Sequence, residues 1–194
     1  MQINSHDGWC SEVNHCPSPH HNERPAGEVA SLLVIHNISL PPGRFGGGHV
    51  QAFFQGHLDS AVHPYFAEIA ALKVSAHFLI ERDGTITQFV SCLKRAWHAG
   101  RSQYGGRPEC NDYSIGIELE GTDDLPFTPA QYDSLQALTK ALQYAYPDIS
   151  RYRITGHEFI APGRKTDPGV GFDWQRYFHS LNKASVLPGS ERQS

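Results

Sequence analysis

The chain predicts a mixed α/β domain whose longest helix packs on a β-sheet. Three stretches carry this reading. "YSIGIELEG" (Tyr113–Gly121) sets Ile115, Ile117 and Leu119 on one face and Ser114, Gly116, Glu118 and Glu120 on the other, the alternation of a strand. "TPAQYDSLQALTKALQYAY" (Thr128–Tyr146) opens with a capping Thr, a Pro at the first helical position and Gln131 three residues after the cap. Its Tyr132, Leu135, Leu138, Leu142 and Ala145 form one apolar stripe. "SAHFLIERDGTITQFV" (Ser75–Val90) is two apolar runs joined across Arg82-Asp83-Gly84, and Asp-Gly is a strong hairpin signal.

The remaining elements follow in chain order. Residues 1–29 are polar and rich in Pro, His and Asn, and read as a lead-in loop. "SLLVIHNIS" (Ser31–Ser39) is a short β-branched apolar run broken by "PPGRFGGGH", which predicts a buried strand. "HVQAFFQGHL" (His49–Leu58) has helical spacing over a short length. "RYRITGH" predicts a last strand ending at His157, and "FDWQRYFHSL" (Phe172–Leu181) a closing helix. One domain over residues 1–182 is expected, with a disordered tail at 183–194.

Composition narrows the function classes. The 194 residues carry 16 Lys and Arg against 20 Asp and Glu, a net charge of −4. That balance argues against a general nucleic-acid binder and offers no polybasic membrane patch. No apolar run approaches the roughly 18 residues of a transmembrane helix. "MQINSHDGWCSEVNHC" lacks the charged start and apolar stretch of a signal peptide, so a cytoplasmic location is expected. The four cysteines, Cys10, Cys16, Cys92 and Cys110, are then expected as thiols. Histidine is abundant, twelve residues, but one metal site uses only two or three of them.

The chemistry concentrates near "TGHEFIAPGRKTDPG" (Thr155–Gly169), a loop stiffened by Pro162 and Pro168. His36 and His157 each sit at the end of an expected strand, His36 at a sheet edge near a cleft, and Asp167 follows His157 by ten residues. Two imidazoles and a carboxylate leave a fourth tetrahedral position for water, as in a catalytic zinc site. On residue types alone, a satisfied core histidine and a capping histidine explain the pair as well. Asp167 precedes Pro168, which favours extended backbone, so Lys165 and Asp167 point to one side. Glu118 and Glu120 share the polar face of their strand, suited to proton transfer or to a solvated edge. Gly116 on that face implies close approach of another group. "HEFIA" lacks the second His of a zincin helix, and neither a nucleophile elbow nor a Walker loop occurs. "CSEVNHCPSPHH" (Cys10–His21) lacks the paired spacing of a closed Cys/His site.

"PSPHHNERP", "SLLVIHNISLPPGRFGG", "HPYFAEIAALKVSAHFLIERDG", "KRAWHAG", "CNDYSIGIELEGTD" and "TGHEFIAPGRKTDPGVGFDW" together resemble the AmpD family of N-acetylmuramoyl-L-alanine amidases, from about Gly8 to Phe178. The resemblance implies a mixed central sheet flanked by helices, like peptidoglycan-recognition domains, with a zinc-floored groove. It implies a cytoplasmic enzyme of cell-wall recycling. Such an enzyme cuts the amide between the lactyl group of 1,6-anhydro-N-acetylmuramic acid and L-alanine in small soluble muropeptides. It also implies an influence on β-lactamase induction where a bacterium carries that enzyme. By resemblance, one zinc ion is held by His36, His157 and Asp167, and Glu118 and Lys165 are the catalytic pair. Lys73, Arg101 and Arg107 are candidate partners for peptide carboxylates. Trp97 and His98 are candidates for the sugar side, and Asn37 for orienting a ligand or substrate. A monomer is expected, with no nucleic-acid or membrane partner. A binding module of the same fold and an exported enzyme for polymeric wall are the rival readings; the complete ligand set and the missing export signal argue against them.

Overall fold

The computed structural model describes residues 1–182. The expected tail at 183–194 lies outside the described residues. In chain order the elements are β1 (Asn14–His15), β2 (His21–Glu23), β3 (Leu32–Ile38), α1 (His49–Phe54), α2 (Pro64–Ile69), β4 (Phe78–Ile80), β5 (Ile86–Gln88), β6 (Lys94–Ala96), β7 (Gln103–Tyr104), β8 (Arg107–Pro108), β9 (Ser114–Glu120), α3 (Pro129–Ala145), β10 (Ile154–Gly156), α4 (His157–Ile160) and α5 (Trp174–Asn182).

The central sheet is mixed, in the order β1-β5-β4-β9-β3-β10. β4 and β5 are the antiparallel pair, the hairpin predicted around Asp83-Gly84. The other neighbours run parallel. β3 lies between β9 and β10, which explains its unbroken apolar run: both faces are covered. Leu33 and Ile35 join the larger core with Ile115, Ile117, Leu135 and Leu138, beneath α3 and α5. Leu32 and Val34 pack on the opposite side with Tyr113 and Ile160. A further apolar cluster seats α1 and α2 through Phe53, Phe54 and Phe66 against Leu79 and Phe89. Helices therefore flank the sheet on both sides.

α3 begins as its sequence implies. The Thr128 side chain accepts from the Gln131 N–H, and Gln131 Oε1 accepts from the Thr128 N–H. The Gln131 amide also donates to the carbonyls of Ile80 and Glu120, tying the helix start to the ends of β4 and β9. Leu138 is fully buried, so Leu138→Ala would cost about 2–5 kcal/mol.

Four expectations change. The lead-in is not a loop throughout: Asn14–His15 pairs with β5, and His21–Glu23 pairs with β6. His36 is not at a sheet edge; β3 is an interior strand that continues to Ile38. The last strand stops at Gly156, and His157 opens a single helical turn. The closing helix starts at Trp174, two residues later than read. The four cysteines are unpaired, as expected.

Candidate active site

Parallel register places the site. β3 and β9 pair Leu32 with Ser114, Val34 with Gly116 and His36 with Glu118. Strand side chains alternate, so His36, Glu118, Gly116 and Ser114 share the sheet face away from α3. β10 pairs Gly156 with Ile35, which delivers His157 beside His36 at the carboxyl ends of the parallel strands. The turn that follows is closed by a long-range bond, Glu158 N–H to the Asp167 carbonyl at 2.8 Å, which returns Asp167 to the same point.

His36 Nδ1, His157 Nδ1 and Asp167 Oδ2 form a triangle with all three sides 3.0 Å. Among the described residues this is the one such group suited to a metal ion. Two imidazole nitrogens and a carboxylate oxygen are a donor set that fits zinc. His36 and His157 are buried and Asp167 is 14% exposed, open to the cleft. Burial first, and then neighbouring His157, lower the His36 imidazole to about 4, against the opposing pull of Asp167. Burial works to raise the Asp167 carboxyl, but hydrogen bonds to His157 and His36 outweigh it and hold the group well below the usual carboxylate range. A neutral His36 imidazole beside an ionised carboxylate is the protonation state a metal site requires.

Glu118 is 9% exposed, and its Oε2 is buried without a hydrogen-bond partner among the described residues. Burial, then the charge of Asp167, raises its pKa well above the ordinary value, with Lys165 opposing. Glu120 does not join it. Its carboxylate accepts from the N–H groups of Gly46 and Arg82, and so holds the glycine-rich segment to the sheet. The close approach expected at Gly116 is His98: a Cβ at position 116 would lie 2.5 Å from its Nδ1.

The triangle and Glu118 open into a cavity of about 380 Å³ lined also by Asn37, Trp97, His98 and Lys165. One wall is apolar, formed by Tyr65, Ile69, Leu72 and Val74, which nothing in the local sequence pattern marks. The Asn37 amide donates to Asp123 Oδ1 at 2.7 Å and to the Pro168 carbonyl at 3.1 Å, bracing the loop that carries Asp167. Trp97 Nε1–H donates to Asn22 Oδ1 at 2.8 Å. His98 uses both ring nitrogens internally, on His36 and Ser114. Lys73 is exposed beside Leu72 and Val74 and is not among the residues lining the cavity. Arg107 pairs with Glu28 and lies over the Tyr113 ring. Arg101 lines a separate cavity of about 280 Å³ with Arg164 and Glu109.

Comparison with known proteins agrees with this geometry. The N-acetylmuramoyl-L-alanine amidase family matches residues 26–170. The 1,6-anhydro-N-acetylmuramyl-L-alanine amidase AmpD of Escherichia coli is 60% identical over 179 residues, 92% of this chain and 97% of its own length. A crystal structure of a selenomethionine derivative of AmpD superposes with a TM-score of 0.90 at 57% identity, covering 93% of this chain and 99% of that one. The amidase AmiD of E. coli, in complex with the substrate anhydro-N-acetylmuramic acid-L-Ala-D-γ-Glu-L-Lys, gives a TM-score of 0.58 at 29% identity, covering 81% of this chain and 60% of that one. The family match spans β3 to β10 and every residue of the triangle, and the chain belongs to the AmpD family of N-acetylmuramoyl-L-alanine amidases.

Proposed function

We propose that residues 1–182 form one catalytic domain that hydrolyses the amide between the lactyl group of 1,6-anhydro-N-acetylmuramic acid and L-alanine in soluble muropeptides. The observation that carries the reading is the juxtaposition, in one cleft, of the His36–His157–Asp167 triangle and the unpartnered carboxyl of Glu118. The high identity to AmpD and the substrate held by AmiD support the choice of bond.

His36, His157 and Asp167 would hold one zinc ion. When bound, zinc supplies Lewis acidity, polarising a carbonyl and making a water easier to deprotonate. Glu118 takes the proton of the attacking water. It then passes that proton to the alanine nitrogen, which leaves poorly unless protonated. Lys165 lines the cleft on an exposed side chain and offers a positive charge to the carbonyl oxygen as negative charge grows there. The apolar wall of Tyr65, Ile69 and Leu72 excludes water and presents a non-polar surface to the substrate.

The finer reading is a monomeric cytoplasmic enzyme of cell-wall recycling. No helix of the described residues is long and apolar enough to cross a membrane. Mass spectrometry of anhydro-muropeptide and of intact sacculi, incubated with the protein with and without a chelator, tests the whole reading. Free peptide beginning with L-alanine is expected from the soluble fragment, and none after chelation. Faster cutting of sacculi, or full activity in chelator, would overturn it.

A further inference from the structure

The two imidazoles of the triangle are oriented by different kinds of partner. His157 Nε2 lies 3.0 Å from the Ala99 carbonyl. A carbonyl only accepts, so Nε2 carries the proton and Nδ1 presents a lone pair to the triangle. His36 Nε2 lies 2.9 Å from His98 Nδ1, where either nitrogen can donate. His98 Nε2 lies 3.1 Å from Ser114 Oγ, which can also do either. The chain Ser114–His98–His36 therefore has two proton arrangements. In one, His36 Nε2–H donates to His98 and His36 Nδ1 is a free ligand. In the other, the proton sits on His36 Nδ1 and blocks it.

The surrounding structure is built to hold His98 in this place. Gly116 gives its ring room against β9. The N–H groups of His98 and Ala99 both donate to Asn111 Oδ1, at 3.2 and 2.8 Å. One clamped dipeptide thus supplies the outer partners of both imidazoles.

We propose that His98 is a positioning residue of the metal centre: it accepts from His36 Nε2–H, donates its own Nε2–H to Ser114, and so keeps His36 Nδ1 free to bind zinc. This rests on the zinc reading above, and it differs from a substrate contact, which would act on KM. Outer partners of metal-bound imidazoles typically change metal affinity by about 10–100-fold.

The test is zinc affinity of the full chain, measured by competition with a chromogenic chelator. His98→Ala and Gly116→Ala, which displaces the ring without removing it, should each weaken zinc by about 10–100-fold. His98→Asn, whose Oδ1 can still accept from His36, should recover much of the loss. Imidazole ¹⁵N–¹H correlation spectra of the zinc-loaded wild type read the arrangement without any substitution that folding might confound. They should show His98 protonated on Nε2. Zinc affinity unchanged in His98→Ala while KM rises would overturn the proposal, as would His98 protonated on Nδ1. Wild type that binds no zinc would overturn the metal reading itself, and the proposal with it.

Discussion

Glu118 stands directly across from His36, paired in register on adjacent parallel strands and on the same face of the sheet. A strand-borne carboxyl next to a candidate ligand is held by the backbone ladder rather than by a mobile loop, which suits a group that must meet one water in one place. Its neighbour two residues on, Glu120, is spent on Gly46 and Arg82. The two carboxylates, alike in sequence, are thereby set in different surroundings.

Glu118→Ala is expected to retain the metal and to lose about 10²–10⁴-fold in kcat, the usual worth of a positioned proton-transfer group. Glu120→Ala should instead lower thermal stability and loosen the Gly46 segment. Steady-state kinetics beside metal analysis distinguishes them; a crippled Glu120 variant with an active Glu118 variant would reverse the assignment.

Metal analysis of the purified chain should return about one zinc per molecule for a mononuclear site of this donor type. His157→Ala, which removes one corner of the triangle, should lose most of it. A preparation that is fully active without metal would contradict the site.

Much of this was legible in the sequence, and the reasons differ by element. β9 and α3 announced themselves through periodicity: α3 has one covered face, and β9, buried on both faces, alternates because its second face carries Ser114, Glu118 and Glu120. The close approach at Gly116 was legible as a glycine on an otherwise side-chain-bearing face, but not the identity of the approaching ring. β1 and β2 were missed because two- and three-residue strands are fixed by partners far along the chain, Thr87 and Ala96 among them. The helical turn at His157 was misread for a similar reason. Its bond from Glu158 to the Asp167 carbonyl is a tertiary contact that no local pattern of glycine and proline foretells. The adjacency of His98 to Trp97 is visible in sequence, whereas its bond to His36 is not.

His77 gives the pH dependence of stability a definite sign. It is fully buried, accepts from the Gly116 N–H at Nδ1 and lies 3.1 Å from the Lys94 carbonyl at Nε2. Burial first, and then the charge of Arg24, push its pKa from 6.5 down to about 3. The unfolded ring takes a proton below its ordinary value and the folded ring does not until near the lower one. Its contribution is therefore present above about pH 6.5 and is lost as pH falls towards about 3. His77→Gln keeps an acceptor and a donor but does not titrate. Urea unfolding at about pH 7 and about pH 4.5 should show a smaller acid loss in the variant than in the wild type. Equal losses would remove His77 from the account.

Lys165 carries the last prediction. It shares the cleft with the triangle and Glu118, and its ammonium makes no hydrogen bond or ion pair with the described residues. A lysine free of hydrogen bonds and ion pairs to the described residues, two residues from Asp167, can meet the substrate. During attack, negative charge grows on the carbonyl oxygen, and a charge aimed there helps chiefly in the transition state. An ammonium is a compact point charge, better matched to a single oxygen than a planar guanidinium. Lys165→Ala should therefore fold normally, keep its zinc and lose about 10²–10³-fold in kcat, the usual loss for one such donor, with KM changed much less. Lys165→Arg should restore only part of the rate. An ordinary surface lysine would show no kinetic effect, and a residue that grips a substrate carboxylate would raise KM at constant kcat. Either result would take Lys165 out of the chemistry.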